Sequence, residues 1–437
     1  MKKALAFLLV LVMILGLIAC SDSAAKPETN VSVADAPATE KNAENSPAEE
    51  QITLTFGTFE TNNLTAELWD NIITAFEATY PNIRVEKILA TGDDRTTFFK
   101  TMLASGSMPD ITLADSAMYT LGIAAEIPED LQQLFDPGIL PSYDGIKCLF
   151  PAYASEAMQC YYNKDIFAEH GLKVPEAYED FINICDTLLA SGVTPMMTGG
   201  AADVWATGEP WYTAVINPEL EAEYGNFNEK LLAGEVKFEN ELLISLLEAW
   251  QDLVEKGYYY EGAMSMSHSQ ATAEFLNGNA AMFIDGAWGA SSYDAQGITN
   301  IGCFRMPTPS GLNNRLPTVN GFLVYNESPN QEAAWKFCEF FVTNEEAYRQ
   351  FLAAEGYACP TKNQVTYEMG PVTTEYTANF ADSEAIIHHI WVKGDYAWPS
   401  GMEAFMNKSM QNIFVGADVR TELACWDVEL QTELENQ

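Results

Sequence analysis

The sequence predicts an α/β protein that contains two sheets, and three observations predict it. Segments in which polar and apolar residues alternate are followed by segments with apolar residues at helical spacing, and this order returns after residue 150. About 387 residues follow the polar segment that ends at residue 50, which is enough for two ordinary domains. Hydrophobic residues make up 48% of the chain, so a substantial core can form.

The pattern is clearest directly after residue 50. Ile52, Leu54 and Phe56 alternate with polar residues and predict a strand. Apolar residues at helical spacing then predict a helix near 66–79, which ends before Pro81. Later segments with the same helical spacing are 95–105, 176–191, 240–256, 268–277 and 331–342.

The first nineteen residues (1–19) have the pattern of an export signal. Two lysines precede an apolar run, residues 4–18, which has the length of a signal-peptide core and is short for a membrane-spanning helix. The run ends in Ala19 and Cys20, and a small residue directly before a cysteine at this point resembles the signal of bacterial lipoproteins. The resemblance implies cleavage before Cys20, a lipid on its sulfur and a location on the outer side of the cell membrane. An ordinary secretory signal or an N-terminal anchor helix is the alternative.

Residues 20–50 are predicted to be the lipidated cysteine and a flexible tether. The segment after Cys20 contains no aromatic residue and is rich in Ala, Ser, Thr, Asn, Glu and Pro. Such a composition cannot bury enough apolar area to offset its conformational entropy. A flexible coil of this length spans roughly 30 Å on average, enough to hold a globular body near a membrane.

Charge and cysteine usage exclude some classes of partner. The net charge is −40, which opposes binding to nucleic acid or to anionic lipid, so we expect no nucleic-acid partner. The seven cysteines beyond Cys20 are scattered and include no CxxC pair, so this long chain is not a disulfide scaffold.

Four segments carry motifs in a characteristic order along the body. They are 80–85 (YPNIRV), 161–167 (YYNKDIF), 275–288 (FLNGNAAMFIDGAW) and 320–329 (NGFLVYNESP). Their order and spacing, over about residues 51–415, resemble the extracellular solute-binding proteins of sugar ABC importers, the family that includes maltose-binding protein. Each motif alone is weak, but the four in order behind an export signal are specific.

This resemblance implies a two-lobed fold like that of periplasmic binding proteins, with crossing segments as a hinge. The implied first lobe is 51–153 plus 319–365, and the second is 154–318 plus 366–437. Ligand would bind between the lobes, at the carboxyl ends of the strands, and would favour the closed form. The resemblance implies a monomer that captures a carbohydrate and delivers it to the membrane subunits of an ABC importer, with no catalytic step and no cofactor.

A sugar offers hydroxyls at its edge and a C–H face, so carboxylates, amides and aromatic planes are the groups that recognise it. The resemblance makes Trp288 the first choice, since a tryptophan closing this motif commonly stacks on the sugar, whereas Trp205 is expected to have a core or surface role. The candidates by position are Thr58, Glu60 and Asp115 after predicted strands, Glu156 and Asn320 at the crossings, and Glu209, Trp211, Asp285, Trp288, Tyr357 and Trp398 in cleft loops.

Other functions remain open from the sequence. An exported carbohydrate hydrolase or lyase needs only a suitable pair of carboxylates among the 62 acids, although HExxH, GxSxG and GxxxxGK[ST] motifs are missing. The same fold could instead bind a polyamine, a metal, phosphate or a peptide, and few basic residues fall in the predicted cleft loops. The adjacent His388 and His389 could bind a metal, but ordinary surface or core positions are the simpler interpretation. A binding protein that feeds a sensor is a further alternative.

Overall fold

The computed structural model describes residues 51–91, 95–114, 118–156, 158–201, 203–386 and 388–436. The predicted signal, Cys20, the tether and the candidate Asp115 lie outside the described residues. Within the described residues, no helix is long and apolar enough to cross a membrane.

Thirteen strands form within the described residues. They are β1 (Ile52–Thr58), β2 (Ile83–Leu89), β3 (Ile111–Ala114), β4 (Ser142–Tyr143), β5 (Ile146–Lys147), β6 (Phe150–Ser155), β7 (Gln159–Asn163), β8 (Met196–Met197), β9 (Met282–Asp285), β10 (Ile301–Phe304), β11 (Asn314–Arg315), β12 (Thr318–Val324) and β13 (Glu384–Ala385).

Sixteen α-helices accompany these strands in the same residues. They are α1 (Ala66–Thr79), α2 (Arg95–Ala104), α3 (Glu129–Gln132), α4 (Lys164–Glu169), α5 (Tyr178–Ala190), α6 (Trp205–Trp211), α7 (Asn217–Tyr224), α8 (Phe227–Leu232), α9 (Glu241–Glu255), α10 (His268–Leu276), α11 (Ala287–Ala295), α12 (Gln331–Thr343), α13 (Glu345–Glu355), α14 (Pro371–Ala378), α15 (Met402–Phe414) and α16 (Val419–Glu435).

The strands form two main sheets, as the alternation predicts. The first has five strands in the order β2-β1-β3-β12-β6, in which β1, β2 and β3 are parallel and β12 runs antiparallel to both of its neighbours. The second has four strands in the order β10-β7-β9-β8, in which β7 is antiparallel to β9 and β10. The chain passes from the first sheet to the second between β6 and β7, and it returns between β10 and β12. We call each sheet, with the helices packed on it, a lobe.

The local patterns explain where individual helices begin and end. The predicted helix at 66–79 is confirmed as α1, which begins where the Thr65 side chain accepts a hydrogen bond from the backbone N–H of Leu68. Its buried face is formed by Trp69, Ile72 and Phe76 at helical spacing. The other five predicted helices are confirmed to within two residues at each end.

Each lobe has its own hydrophobic core. The first-lobe core joins Phe56 of β1 and Trp69 of α1 to Phe337 and Phe341 of α12. The main core of the second lobe packs α5, α6 and α9 with α15 and α16. Cys185 and Cys338 are both fully buried, in the second-lobe core and the first-lobe core respectively.

Candidate functional site

The edges of the two sheets carry the candidate polar residues. Because β1 and β3 are parallel and β12 is antiparallel to β3, the end of β1 at Thr58 and the start of β12 at Thr318 lie at one edge of the first sheet. In the second sheet, Asp285 at the end of β9 pairs in register with Gln159 at the start of β7. Binding residues in α/β proteins lie at edges of this kind, beyond the carboxyl ends of parallel strands.

Three oxygens at the edge of the first sheet are buried and have no hydrogen-bond partner among the residues that the structure describes. They are Oγ1 of Thr58, Oε2 of Glu156 and Oδ1 of Asn320. Sequence reasoning named all three residues as candidates, and the structure brings them to the same edge. Buried polar atoms in proteins are nearly always paired, so three orphaned acceptors together point to a ligand that donates hydrogen bonds.

Glu156 also belongs to an ion pair at the crossing between the sheets. Its Oε1 lies 2.5 Å from Nη1 of Arg315, on the segment that leads into β12. Burial raises the pKa of the Glu156 carboxyl, and the charge and hydrogen bond of Arg315 oppose that rise. The ion pair therefore occupies Oε1 of Glu156, and Oε2 can accept a hydrogen bond from a ligand.

The second lobe contributes a buried carboxylate and the turn that follows it. Asp285 is 1% exposed, and its Oδ1 accepts a hydrogen bond from the backbone N–H of Gly286 at 2.9 Å. The Tyr161 hydroxyl donates to the Gly286 carbonyl at 2.6 Å and accepts from the Ala290 N–H at 3.0 Å, which holds the turn from both sides. A Cβ at Gly286 would lie 2.3 Å from the Trp288 ring, so glycine is required for the ring to fold back over the turn.

Two tryptophans form an aromatic wall beside this turn. Trp288 and Trp205 are both partly exposed, and their rings meet edge to face with centroids 5.9 Å apart. The sequence predicts a core or surface role for Trp205, and the structure places it partly buried against the second-lobe core and edge to face with Trp288. A partly exposed indole beside a carboxylate is the kind of pair that can bind the C–H face and the hydroxyl edge of a sugar ring.

The buried glutamate Glu355 was missed by sequence reasoning. It ends α13 and is 4% exposed, and Thr61 donates a hydrogen bond to it. Its pKa is raised to about 7, chiefly by burial and in smaller part by the charge of Asp285, while hydrogen bonds from Thr61 and Tyr357 and the charge of Arg95 oppose the rise. The influence of Asp285 places this first-lobe carboxyl close to the second lobe. A glutamate on the apolar face of a helix, four residues after Phe351, was the available signal.

The lobes meet directly beside this glutamate. The Asn63 side-chain amide donates to the Trp288 carbonyl at 3.1 Å, and the Ser291 hydroxyl donates to the Ala354 carbonyl at 2.8 Å. A Cβ at Gly356 would lie 3.0 Å from the Ala287 carbonyl oxygen. Trp288, Asp285 and Glu355 thus belong to one region in which the two lobes touch.

Glu60 and Tyr357 lie in the same region with different exposure. Glu60 is an exposed residue whose carboxylate lies 3.5 Å from the Lys87 ammonium. Tyr357 is 8% exposed and stacks on Tyr153 with ring centroids 4.0 Å apart. Tyr357 therefore supports the region from behind and gives Glu355 a hydrogen bond.

The structure does not bring three of the candidates to this region. Trp211 and Trp398 are each 2% exposed in the second-lobe core, where Trp211 packs on Phe181 and Trp398 packs on Phe238. Glu209 is also buried, and its two oxygens accept hydrogen bonds from Trp391 Nε1 at 2.9 Å and from Asn407 Nδ2 at 2.6 Å. Sequence could not separate these aromatic residues from cleft ones because all lie in helix or loop segments rich in apolar residues.

The adjacent histidines have separate partners. His388 lies 2.9 Å from a Glu221 oxygen, and His389 is buried with Nε2 3.2 Å from the Pro317 carbonyl. Burial lowers the pKa of His389 to about 3, so that side chain is neutral. Across the described part of the chain, no group of three or more His, Cys, Asp or Glu residues is arranged to hold a metal ion.

Known proteins resemble this chain in sequence and in fold. The multiple sugar-binding protein of Streptococcus mutans is 22% identical over 344 residues, which cover 74% of this chain and 77% of that protein. The sn-glycerol-3-phosphate-binding periplasmic protein of Rhizobium meliloti is 26% identical over 284 residues, 61% of this chain and 59% of that protein. A solved chitin oligosaccharide binding protein superposes with a TM-score of 0.74 at 20% identity, covering 88% of this chain and 99% of that one, which shows a shared two-lobed fold. The model of the bacterial extracellular solute-binding protein family matches residues 61–348, more than half of the chain, and the chain therefore belongs to that family.

Proposed function

We propose that this protein captures a carbohydrate between its two lobes and delivers it to an ABC importer. Two observations carry the proposal: the partly exposed aromatic wall of Trp205 and Trp288 on the second lobe, and the orphaned acceptor oxygens on Thr58, Glu156 and Asn320 at the edge of the first sheet. An aromatic face binds the C–H surface of a sugar, and the acceptors take its hydroxyl hydrogens. The multiple sugar-binding relative and the chitin oligosaccharide binding structure support a sugar as the ligand class.

Capture works by stabilisation of the closed arrangement of the lobes. A ligand that contacts Thr58 of the first lobe and Trp288 of the second binds the closed form more tightly, and the population shifts toward it. The strand order supports lobe limits of 51–153 plus 319–365 for the first lobe and 154–318 plus 366–437 for the second. The membrane subunits of the importer then recognise the closed form, and the protein acts as a monomer without a catalytic step.

Attachment to the outer face of the membrane forms a second part of the proposal. Cys20 carries the lipid, and residues 20–50 serve as the tether between the membrane and the lobes. The small residue before Cys20 and the apolar run before it support this assignment.

Thermal unfolding of the purified protein against a panel of solutes tests the proposal. The panel holds maltose, raffinose, stachyose and a chitin oligosaccharide, with spermidine, sn-glycerol 3-phosphate and divalent metals as controls. A ligand at a hundred times its dissociation constant stabilises the folded state by about 2.7 kcal/mol, which gives a clear shift in Tm.

Three outcomes separate the candidate functions. A shift with one class of sugar that is recovered unchanged supports capture and names the class. A shift with spermidine, a metal or the phosphate ester alone refutes the sugar assignment and keeps the fold. Consumption of the sugar refutes the assignment as a binding protein and favours a carbohydrate-active enzyme.

A further inference from the structure

His268 lies behind the aromatic wall, outside the set of candidate residues. It is the first residue of α10, and its backbone N–H donates to Asp203 Oδ2 at 2.7 Å. Its ring packs against Trp205, with centroids 4.9 Å apart, and against Phe283 at 5.6 Å. The side chain is 18% exposed, so protein atoms surround most of it.

The imidazole also reaches the buried carboxylate of the site. Nε2 of His268 lies 3.1 Å from Oδ2 of Asp285, whose side chain is 1% exposed. The other oxygen of Asp285 accepts from the N–H of Gly286, over which the Trp288 ring folds. His268 therefore contacts both Trp205 of the wall and Asp285, the carboxylate at the start of the turn that carries Trp288.

We propose that His268, ion-paired with Asp285, is a positioning residue that holds the Trp205–Trp288 wall in its binding orientation, so that carbohydrate affinity depends on the charge of His268. The inference rests on the proposed carbohydrate site. Loss of the imidazolium charge removes the opposite charge beside the buried Asp285 side chain, and the turn that carries Trp288 relaxes away from it.

The charged groups around His268 set the direction of the pH effect. Burial by itself lowers the pKa of His268, but the charge of Asp285, whose oxygen lies 3.1 Å from Nε2, together with the charge of Asp203 outweighs it and raises the pKa above the ordinary histidine value. Glu355 from the first lobe acts on the same pair through Asp285, and its own pKa lies near 7. The affinity for carbohydrate is therefore expected to fall as the pH rises through the pKa of His268. Because Glu355 titrates in the same range, it is replaced by glutamine so that the effect of His268 is measured separately.

The test measures the dissociation constant of the panel sugar with the largest thermal shift, from pH 6 to pH 9, in a Glu355→Gln background. With His268 present, we expect the dissociation constant to rise about tenfold across this range, the size of roughly one pKa unit of differential interaction. His268→Gln keeps an amide donor for Asp285 but cannot gain charge, and we expect its dissociation constant to be independent of pH. His170→Gln is the matched control and keeps the slope of its parent.

A second arm needs no ligand. The protein contains four histidines, few enough for the ring C2 protons to be assigned by NMR through single substitutions. We expect the pKa of His268 to lie above the ordinary value and to fall in Asp285→Asn, since burial then dominates. Near-ultraviolet circular dichroism of the tryptophans is expected to change with the same midpoint in Glu355→Gln and not in Glu355→Gln/His268→Gln.

The outcomes distinguish failure of the His268 positioning role from failure of the proposed carbohydrate binding. An unchanged pH slope in Glu355→Gln/His268→Gln, or a His268 pKa that Asp285→Asn does not lower, overturns the inference. If no panel sugar binds the wild type, the proposed function fails, and the NMR and dichroism arm still supports or overturns the positioning role. If His268→Gln does not fold, His268→Asn replaces it, with the same expected loss of pH dependence.

Discussion

Replacement of Glu355 by glutamine removes a carboxyl group that lies where the two lobes touch and whose ionisation is disfavoured by burial. The glutamate is 4% exposed and its pKa is raised from 4.5 to about 7, chiefly by burial. Glutamine has nearly the same shape, and its carbonyl oxygen can still accept the hydrogen bond of Thr61. The variant therefore changes the charge while most of the packing stays.

The magnitude follows from proton linkage. The pKa of the glutamate is 4.5 in the unfolded chain and about 7 in the native state. The native state therefore binds more protons than the unfolded chain between these two pH values. The stability that Glu355 contributes is therefore full below about pH 4.5 and is lost as the pH rises toward 7. A shift of about 2.5 units corresponds to about 3 kcal/mol. Glu355→Gln has no such loss, so it should gain up to about 3 kcal/mol over the wild type between pH 4.5 and pH 8.

The assay is equilibrium urea unfolding of the wild type and of Glu355→Gln at several pH values from 4.5 to 8. The difference between the two proteins is the quantity to use, since the many other acids titrate in both and cancel. Exposed Glu86→Gln serves as the control and is expected to give a difference that varies little with pH. The difference in free energy of unfolding between Glu355→Gln and the wild type could instead stay constant with pH, or favour the wild type more at pH 8 than at pH 4.5. Either result would contradict a raised pKa of Glu355 in the native state.

Four further predictions concern the cleft and the anchor. Trp288→Ala removes the front of the aromatic wall and should weaken sugar binding about ten- to a hundredfold by calorimetry, because buried tryptophans dominate binding surfaces. Thr58→Val removes an orphaned hydroxyl at nearly constant shape, so affinity should fall while the free energy of unfolding is unchanged or rises. Ser291→Ala removes the donor to the Ala354 carbonyl between the lobes, so affinity should fall several-fold and small-angle scattering should show a more open ligand-free form. Cys20→Ser should move the protein from the membrane fraction to the medium on cell fractionation.

Conservative substitutions at the same positions distinguish loss of a ligand contact from loss of the folded structure. Trp288→Phe should recover part of the affinity that alanine loses, and Thr58→Ser should recover most of it. Equal affinity in Trp288→Ala and the wild type would remove this residue from the site. Tight binding in Thr58→Val would mean that the orphaned hydroxyl has another role, and a membrane-bound Cys20→Ser would favour an anchor helix.

The sequence alone determined the secondary structure and the family-like motifs, since both depend on neighbours in the chain. The apolar spacing of Trp69, Ile72 and Phe76 defines α1 whatever packs on it. Asp285 and Trp288 were named because their motif occupies a short, continuous segment, and the structure places both of them where the two lobes touch.

The tertiary structure alone decided which of many similar residues share one site. With 9 tryptophans and 62 acids in the chain, local pattern cannot tell Trp211, in the core, from Trp205, on the wall. The pKa of Glu355 depends on its burial, on a hydrogen bond from Thr61, which lies 294 residues earlier, and on the charge of Asp285 in the other lobe. Helical periodicity identifies the face that is covered, but the partner that covers it, and hence the pKa and the unpaired oxygens of a site, is set by long-range packing.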